Sequence, residues 1–410
     1  MRLRHRLGRP ALLGLGAIVA ALAAAVSATA GSGAASDPIK LMVIAPVQTP
    51  IQNYPDAFTG AQAAADAINK RGGIKGRRIQ ILTCNTQSNA NVAVACAREA
   101  VSENVAAVVG HISTLSTLEI PVLAQAGIPD IGMQTSGNAI DWTNKLVFPF
   151  VGGSTAAYIS IPFAMKKLGK QRFVITYQDV PSAATNAKLA RNAARVAGLN
   201  VAASFVLPGA TTDFSPYVQK LREANADSVM MINSPGVSGG LIRAATAFGV
   251  RPLWSHNTGS IGEPEAAQIG APSEGMLLGG IYPSFRDTNL PGIKRFVAEM
   301  TASGKASDEI NLKPLGINSW LSVYAVAEAA KWIKSGPVTA ATLTRAMRAQ
   351  KKPVNLFGLV TWAPGLPGPA AFPRWGLVKE YFLTVKGGKI VSWGNQLPAV
   401  QPMRSMKYVR

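Results

Sequence analysis

RRIQILTCNTQSNANVAVACAREAVSENVAAVVG, residues 77–110, decides how the whole chain is read. RRIQILTC is an apolar run of strand length, NANVAVACAREAVSE repeats its apolar residues at helical spacing, and VAAVVG is apolar throughout. Strands that are apolar on both faces, separated by a helix, are what a parallel sheet covered by helices requires. Toward the amino end, IKLMVIAPV reads as a strand and DAFTGAQAAADAINKRGG as a helix closed by Gly72 and Gly73. Toward the carboxyl end come the loop HISTLST, the helix STLEIPVLAQAG and the strand IPDIGMQ.

A second series of the same kind follows VFPFVGGS. It runs AAYISIPFAMKKLG, RFVITYQ, AATNAKLARNAARVAG, NVAASFVL, DFSPYVQKLREAN, DSVMMIN, VSGGLIRAATAFG and RPLWSH, alternating helix and strand. EGMLLGGIY, three helical stretches between Leu290 and Gln350, and the β-like runs FGLVTW, LVKEYFLTV and GKIVSW complete the chain. With 410 residues, two βα arrays of similar length imply two α/β lobes rather than one. Ligands of such sheets lie beyond the carboxyl ends of the strands. Ser113, Thr114, Ser116 and Thr117 stand at such an end, where a helix begins. Hydroxyls there either cap the helix or join its free N–H groups in a seat for an anion.

The first 30 residues read as an export signal. MRLRHRLGRP is a basic leader, ALLGLGAIVAALAAAV an apolar core, and Ala28-Thr29-Ala30 a cleavage pattern. No cysteine lies there to carry a lipid, and no later segment is long and apolar enough to span a bilayer, so the mature chain is expected to be soluble outside the cytoplasm. The formal net charge of +20 falls to +16 once Arg2, Arg4, Arg6 and Arg9 leave with the leader. The basic residues are dispersed, in short clusters such as KRGGIKGRR without interleaved aromatics. This argues for a solvated basic surface and against nucleic acid. Cys84 and Cys96 are the two cysteines, and an oxidising compartment favours a bridge between them. With these and only His5, His111 and His256, a zinc site built by the protein is not expected, and no cofactor is.

Catalytic patterns fail on inspection. GVSGG, residues 236–240, matches the nucleophile elbow G-x-S-x-G, but Asn233 to Gly236 separate it from the preceding apolar run. No acid lies between Val237 and His256, so the acid-then-histidine order is missing. The stretch reads as a glycine-rich turn opening a helix. His111 and His256 each stand at a strand end without a matched nucleophile, and neither a P-loop nor G-x-G-x-x-G after a strand is present.

AINKRGGIKGRRI, preceded by IKLMVIAPVQTPIQNYPDAFTGAQAA and followed by AREAVSENVAAVVGH, resembles the extracytoplasmic solute-binding proteins of ABC transporters, in their branched-chain amino-acid-binding (leucine-binding protein-like) family. The likeness extends from residue 39 to residue 393. It implies a type I periplasmic-binding-protein fold: two Rossmann-like lobes with mostly parallel sheets, joined by a three-crossing hinge. With the leader read above, residues 1–30 are expected as signal peptide and 31–37 as linker. Residues 38–151 and 283–355 form lobe 1, residues 152–282 and 356–394 form lobe 2, and residues 395–410 an exposed tail. A bridged cysteine pair in the first lobe is compatible with that family.

In that family hydroxyls and N–H groups of two loops grip a ligand carboxylate, so the resemblance favours the anion seat. Ser113 and Thr114 fill the first loop, and Gln134, Thr135 and Ser136 the second. Tyr54 matches a tyrosine that covers the ligand, with Gln48 in the same loop. The acid that often meets a ligand ammonium is absent from LWSHNTGS, where Asn257 or Thr258 stands. TYQDVPSAAT replaces another family segment and offers Asp179 instead. Tyr177, Asp179, Ser234 and Asn257 are the expected contacts of the second lobe. The implied activity is capture of a small polar or carboxylate-bearing ligand (amino-acid-like, amide or aromatic acid) by a monomer that delivers it to a membrane ABC permease, with no enzymatic step. Partnership with a separate sensory receptor, or a secreted hydrolase, are the alternatives.

Overall fold

The computed structural model describes residues 37–49, 52–376 and 380–393; the expected signal, most of the linker and the tail lie outside them. The first array forms β1 (Ile39–Ala45), α1 (Pro55–Lys70), β2 (Ile79–Asn85), α2 (Ala90–Ser102), β3 (Ala107–Val109), α3 (Ser116–Gln125), β4 (Asp130–Ile131), α4 (Ile140–Thr143) and β5 (Val147–Phe148). Its five strands make one parallel sheet in the order β2-β1-β3-β4-β5. Along β1 the side chains alternate between two cores. Leu41 and Val43 pack toward α1, whereas Met42 and Ile44 pack toward α2. That double burial is why the strand reads as continuously apolar.

The second array forms α5 (Gly153–Lys167), β6 (Arg172–Tyr177), α6 (Pro181–Val196), β7 (Asn200–Val206), α7 (Ser215–Glu223), β8 (Ser228–Ile232), α8 (Pro235–Ala247), β9 (Leu253–Asn257), α9 (Glu263–Ile269) and β10 (Leu277–Gly280). The chain then returns through α10 (Pro291–Ala302), α11 (Pro314–Lys331) and α12 (Ala340–Ala349). It ends in two antiparallel pairs, β11 (Val354–Leu356) with β12 (Val360–Trp362) and β13 (Tyr381–Lys386) with β14 (Lys389–Ser392). The second sheet has the order β14-β13-β10-β9-β8-β6-β7, parallel except at β13 and β14. The described residues therefore form two α/β bodies, one around each sheet, and the chain changes body between β5 and β6, between β10 and β11, and between β12 and β13.

Helix α11 returns to the first body, where its Gly316 meets Gly60 of α1 backbone to backbone. A Cβ on Gly60 would collide with the Gly316 backbone, and one on Gly316 would collide with the Asn311 carbonyl. The buried Asp56 carboxylate ties the same helices by accepting the Gly316 N–H at 2.9 Å. The segment from 356 to 375, expected with the second lobe, packs against the first body. β11 and β12 pair only with each other, and Trp362 buries edge-on against Phe150 while Phe372 and Trp375 pack around Trp142. No helix of the described residues is long and apolar enough to cross a membrane. Cys84 at the end of β2 and Cys96 in α2 are disulfide-bonded, with 5.6 Å between their Cα atoms.

Candidate functional site

Between the carboxyl ends of the two sheets lies a cavity of about 270 Å³. The first body contributes Gln52, Tyr54, Ser88, Ile112, Thr114, Leu115 and Ser136 to its wall. Ser154 and Tyr158 come from α5, Ser182, Ala183 and Asn186 from α6. Gln178, Val180, Ile232, Asn233, Ser234, Pro235, Asn257 and Ser260 complete it. Among the described residues no charged side chain lines this space.

Of the residues expected from the sequence, Tyr54, Thr114, Ser136, Ser234 and Asn257 meet there. The others do not line it. Gln48 is exposed in a left-handed turn, with its N–H held by Asn53, so Gln52 takes its place. Ser113 braces its own turn, its Oγ accepting the Leu115 N–H at 2.9 Å. Thr135 is fully buried and donates to the Gly152 carbonyl. Gln134 is buried beside Gly153 and Asn257 in a separate, much smaller cavity. Tyr177 ends β6 and packs into the second core instead, and Asp179 is exposed, so it supplies no carboxylate to the cavity. Ser238 of GVSGG is buried inside α8, which already begins at Pro235, rather than on a turn.

The contributions of α5 and α6 escape a loop-by-loop reading because they come from helices. Ser182 and Asn186 are four residues apart, on the face of α6 that also buries Ala183, Ala187 and Ala190. Polar residues on an otherwise alanine face are the one local signal of that role. Asn186 also joins the two bodies: its Nδ2 donates to the Ser136 carbonyl at 3.0 Å. Gly137, at φ +113°, presses against Ser182 and Asn186 with no room for a Cβ. A second link is the Lys313–Glu265 ion pair at 3.2 Å, between the start of α11 and α9.

The second-body wall is held by Asn257, whose Nδ2 donates to the Tyr158 hydroxyl at 2.5 Å and whose Oδ1 accepts the Ser260 N–H at 2.9 Å. Burial pushes the Tyr54 phenol up to about 12 and Tyr158 higher still, so both are neutral hydroxyls at any physiological pH. The Asn186 Oδ1 is buried without a donor.

The first-body wall is organised by a buried carboxylate. Asp141 accepts the Ser116 hydroxyl at 2.6 Å and the Ser136 N–H at 2.9 Å. The Ser136 hydroxyl donates to the Ser113 carbonyl at 2.7 Å, and Asn138 Nδ2 donates to the Thr114 carbonyl at 3.0 Å. Burial raises Asp141 to about 7 against those hydrogen bonds and the nearby His111 charge. Behind it His111 lies between Asp130 at 2.7 Å and Glu119 at 3.2 Å. Burial opposes its charged form, but the two carboxylates outweigh that and push it up to about 10. No cluster of His, Cys, Asp or Glu among the described residues is arranged to hold a metal ion.

A cavity lined from both bodies, with no charged side chain among its described lining residues, can enclose a small solute. Comparison with known proteins points the same way. The sequence profile of the periplasmic binding protein family matches residues 38–372. The Leu/Ile/Val-binding protein of Escherichia coli K12 is 26% identical over 269 residues, which cover 63% of this chain and 72% of that protein. The substrate-binding protein of a Streptococcus pneumoniae branched-chain amino acid transporter, solved with isoleucine, superposes with a TM-score of 0.72 at 20% identity, covering 89% of this chain and 100% of that one. A fatty acid ABC transporter substrate-binding protein from Thermomonospora curvata gives 0.76 at 18% identity, covering 92% and 96%.

Proposed function

This chain belongs to the periplasmic binding protein family, and from that membership we propose that it is an extracytoplasmic monomer that captures a small solute in the cavity between its bodies and presents it to the permease of an ABC transporter. The observation that carries the reading is the cavity itself, lined from the strand ends of both sheets and bridged by Asn186 and Ser136. A ligand that touched one body alone would leave the balance of open and closed forms unchanged. Here Tyr54 and Thr114 contact it from the first body, and Tyr158, Asn186, Ser234 and Asn257 from the second, so the second set is made only on closure. Micromolar binding requires a net of about −8 kcal/mol. At roughly 1 kcal/mol per neutral hydrogen bond, those polar contacts supply part of it and burial of the ligand's apolar surface the remainder. No bond is made or broken; closure is the signal that the permease reads.

The test is mass spectrometry of solute released from the purified protein, followed by thermal-shift measurements over amino acids, amides, aromatic acids and polyols. A cognate solute at a hundred times its Kd adds about 2.7 kcal/mol of stability, and solution scattering registers a more compact molecule. A folded protein that carries no solute and that no solute stabilises or compacts overturns the reading.

A further inference from the structure

The corner of the cavity that faces a ligand from the first body is already occupied from within. We propose that Asp141 fills the anion position of this corner, so that the cavity takes a solute that brings no negative charge there and rejects a carboxylate. This rests on the solute-binding reading above.

At this corner Ser116 and Ser136 spend their donors on the protein's own groups. The Ser136 N–H goes to Asp141 Oδ2 at 2.9 Å, the Ser116 hydroxyl to Oδ1 at 2.6 Å, and the Ser136 hydroxyl to the Ser113 carbonyl at 2.7 Å. Asp141 is fully buried immediately behind Ser136, which itself lines the cavity. A carboxylate placed against Ser136 therefore meets like charge through a single residue of low-dielectric protein, with no cation on the lining to offset it. The charges behind the corner add to this. Asp141 feels His111 and Asp130, and the one imidazolium is already shared between Asp130 and Glu119. The opposite wall is neutral, with Tyr158, Asn186, Ser234 and Asn257 on its lining, so it offers a carboxylate no counter-charge either.

The experiment uses matched pairs on one skeleton, such as benzamide with benzoate and isovaleramide with isovalerate. Each is titrated against the full-length mature protein by calorimetry at pH 8. Wild type is expected to bind the amide at least tenfold more tightly than the acid. Asp141→Asn, which keeps an acceptor for the Ser136 N–H and removes the charge, is expected to narrow the amide-to-acid ratio at least tenfold. In wild type the same ratio narrows on acidification from pH 8 to 6, as Asp141 takes its proton, and that dependence vanishes in the variant; this measurement stands even if the variant folds poorly. A wild type that prefers the acid, or a ratio indifferent to both Asp141→Asn and pH, overturns the assignment while leaving solute binding intact. Failure of every solute to bind overturns the solute-binding reading and this proposal together.

Discussion

His111 follows β3 in the first body and His256 sits in β9 of the second; each is fully buried where a parallel strand reaches the cavity. His111 has a carboxylate at each ring nitrogen and is held charged, its pKa pushed up to about 10. The Nε2–H of His256 donates to the Asn233 carbonyl at 3.0 Å and its Nδ1 accepts the Asn257 N–H at 2.8 Å. Burial therefore takes it down to about 4, and it is neutral. Burial works against the charged form in both. What differs is whether the neighbouring loops bring carboxylates or backbone amides, and that choice splits the molecule into an ionic wall and a neutral one.

Replacing His111 with Gln should break the ionic side most severely. It leaves Asp130 and Glu119 buried without their cation, and the loss measured by guanidinium unfolding should be about 3–5 kcal/mol. A loss under about 1 kcal/mol would mean that the two histidines are held alike. The neutral side is exposed by pH. The unfolded chain takes a proton on His256 near 6.5 and the folded chain only near 4, so stability falls as pH drops across that interval. The decline should reach about 3 kcal/mol at pH 4 from this group. In His256→Gln, unfolding midpoints followed between pH 7 and 4 should lack that part of the decline. His111 runs oppositely, since its contribution is complete below pH 6.5 and disappears as pH rises through about 10. The smallest effect concerns the covalent asymmetry. The Cys84–Cys96 bridge closes a loop with a sequence separation of 12 in the first body. Reduction should cost about 2–3 kcal/mol, and amide hydrogen exchange should show the loss in β2 and α2 and not in the second sheet.

Much of the architecture was legible from residues 77–110 outward, because helices covering both faces of a parallel sheet impose apolar strands that need no long-range information to recognise. The boundary near residue 356 was not, since FGLVTW reads equally as an edge of the second sheet and as the separate ribbon that buries Trp362 in the first body. At the cavity, Thr114 could be named from its loop and Tyr54 and Asn257 from the family resemblance, whereas Tyr158 and Asn186 reach it from helices whose facing is set by packing. Asp179 looked like a replacement carboxylate because of its loop, yet the chain turns it to solvent before α6 starts.

The sequence by itself determined two α/β bodies with hydroxyl-rich loops at their strand ends, because periodicity and strand apolarity are local properties of the chain. Whether those hydroxyls remain available to a solute was decided only in three dimensions. Ser116 and Ser136 lie 20 residues apart, yet Asp141 takes the hydroxyl hydrogen of the first and the N–H of the second, while the Ser136 hydroxyl goes to the Ser113 carbonyl. A hydrogen bond is spent on whichever acceptor the fold brings near, and no spacing along the chain records that choice.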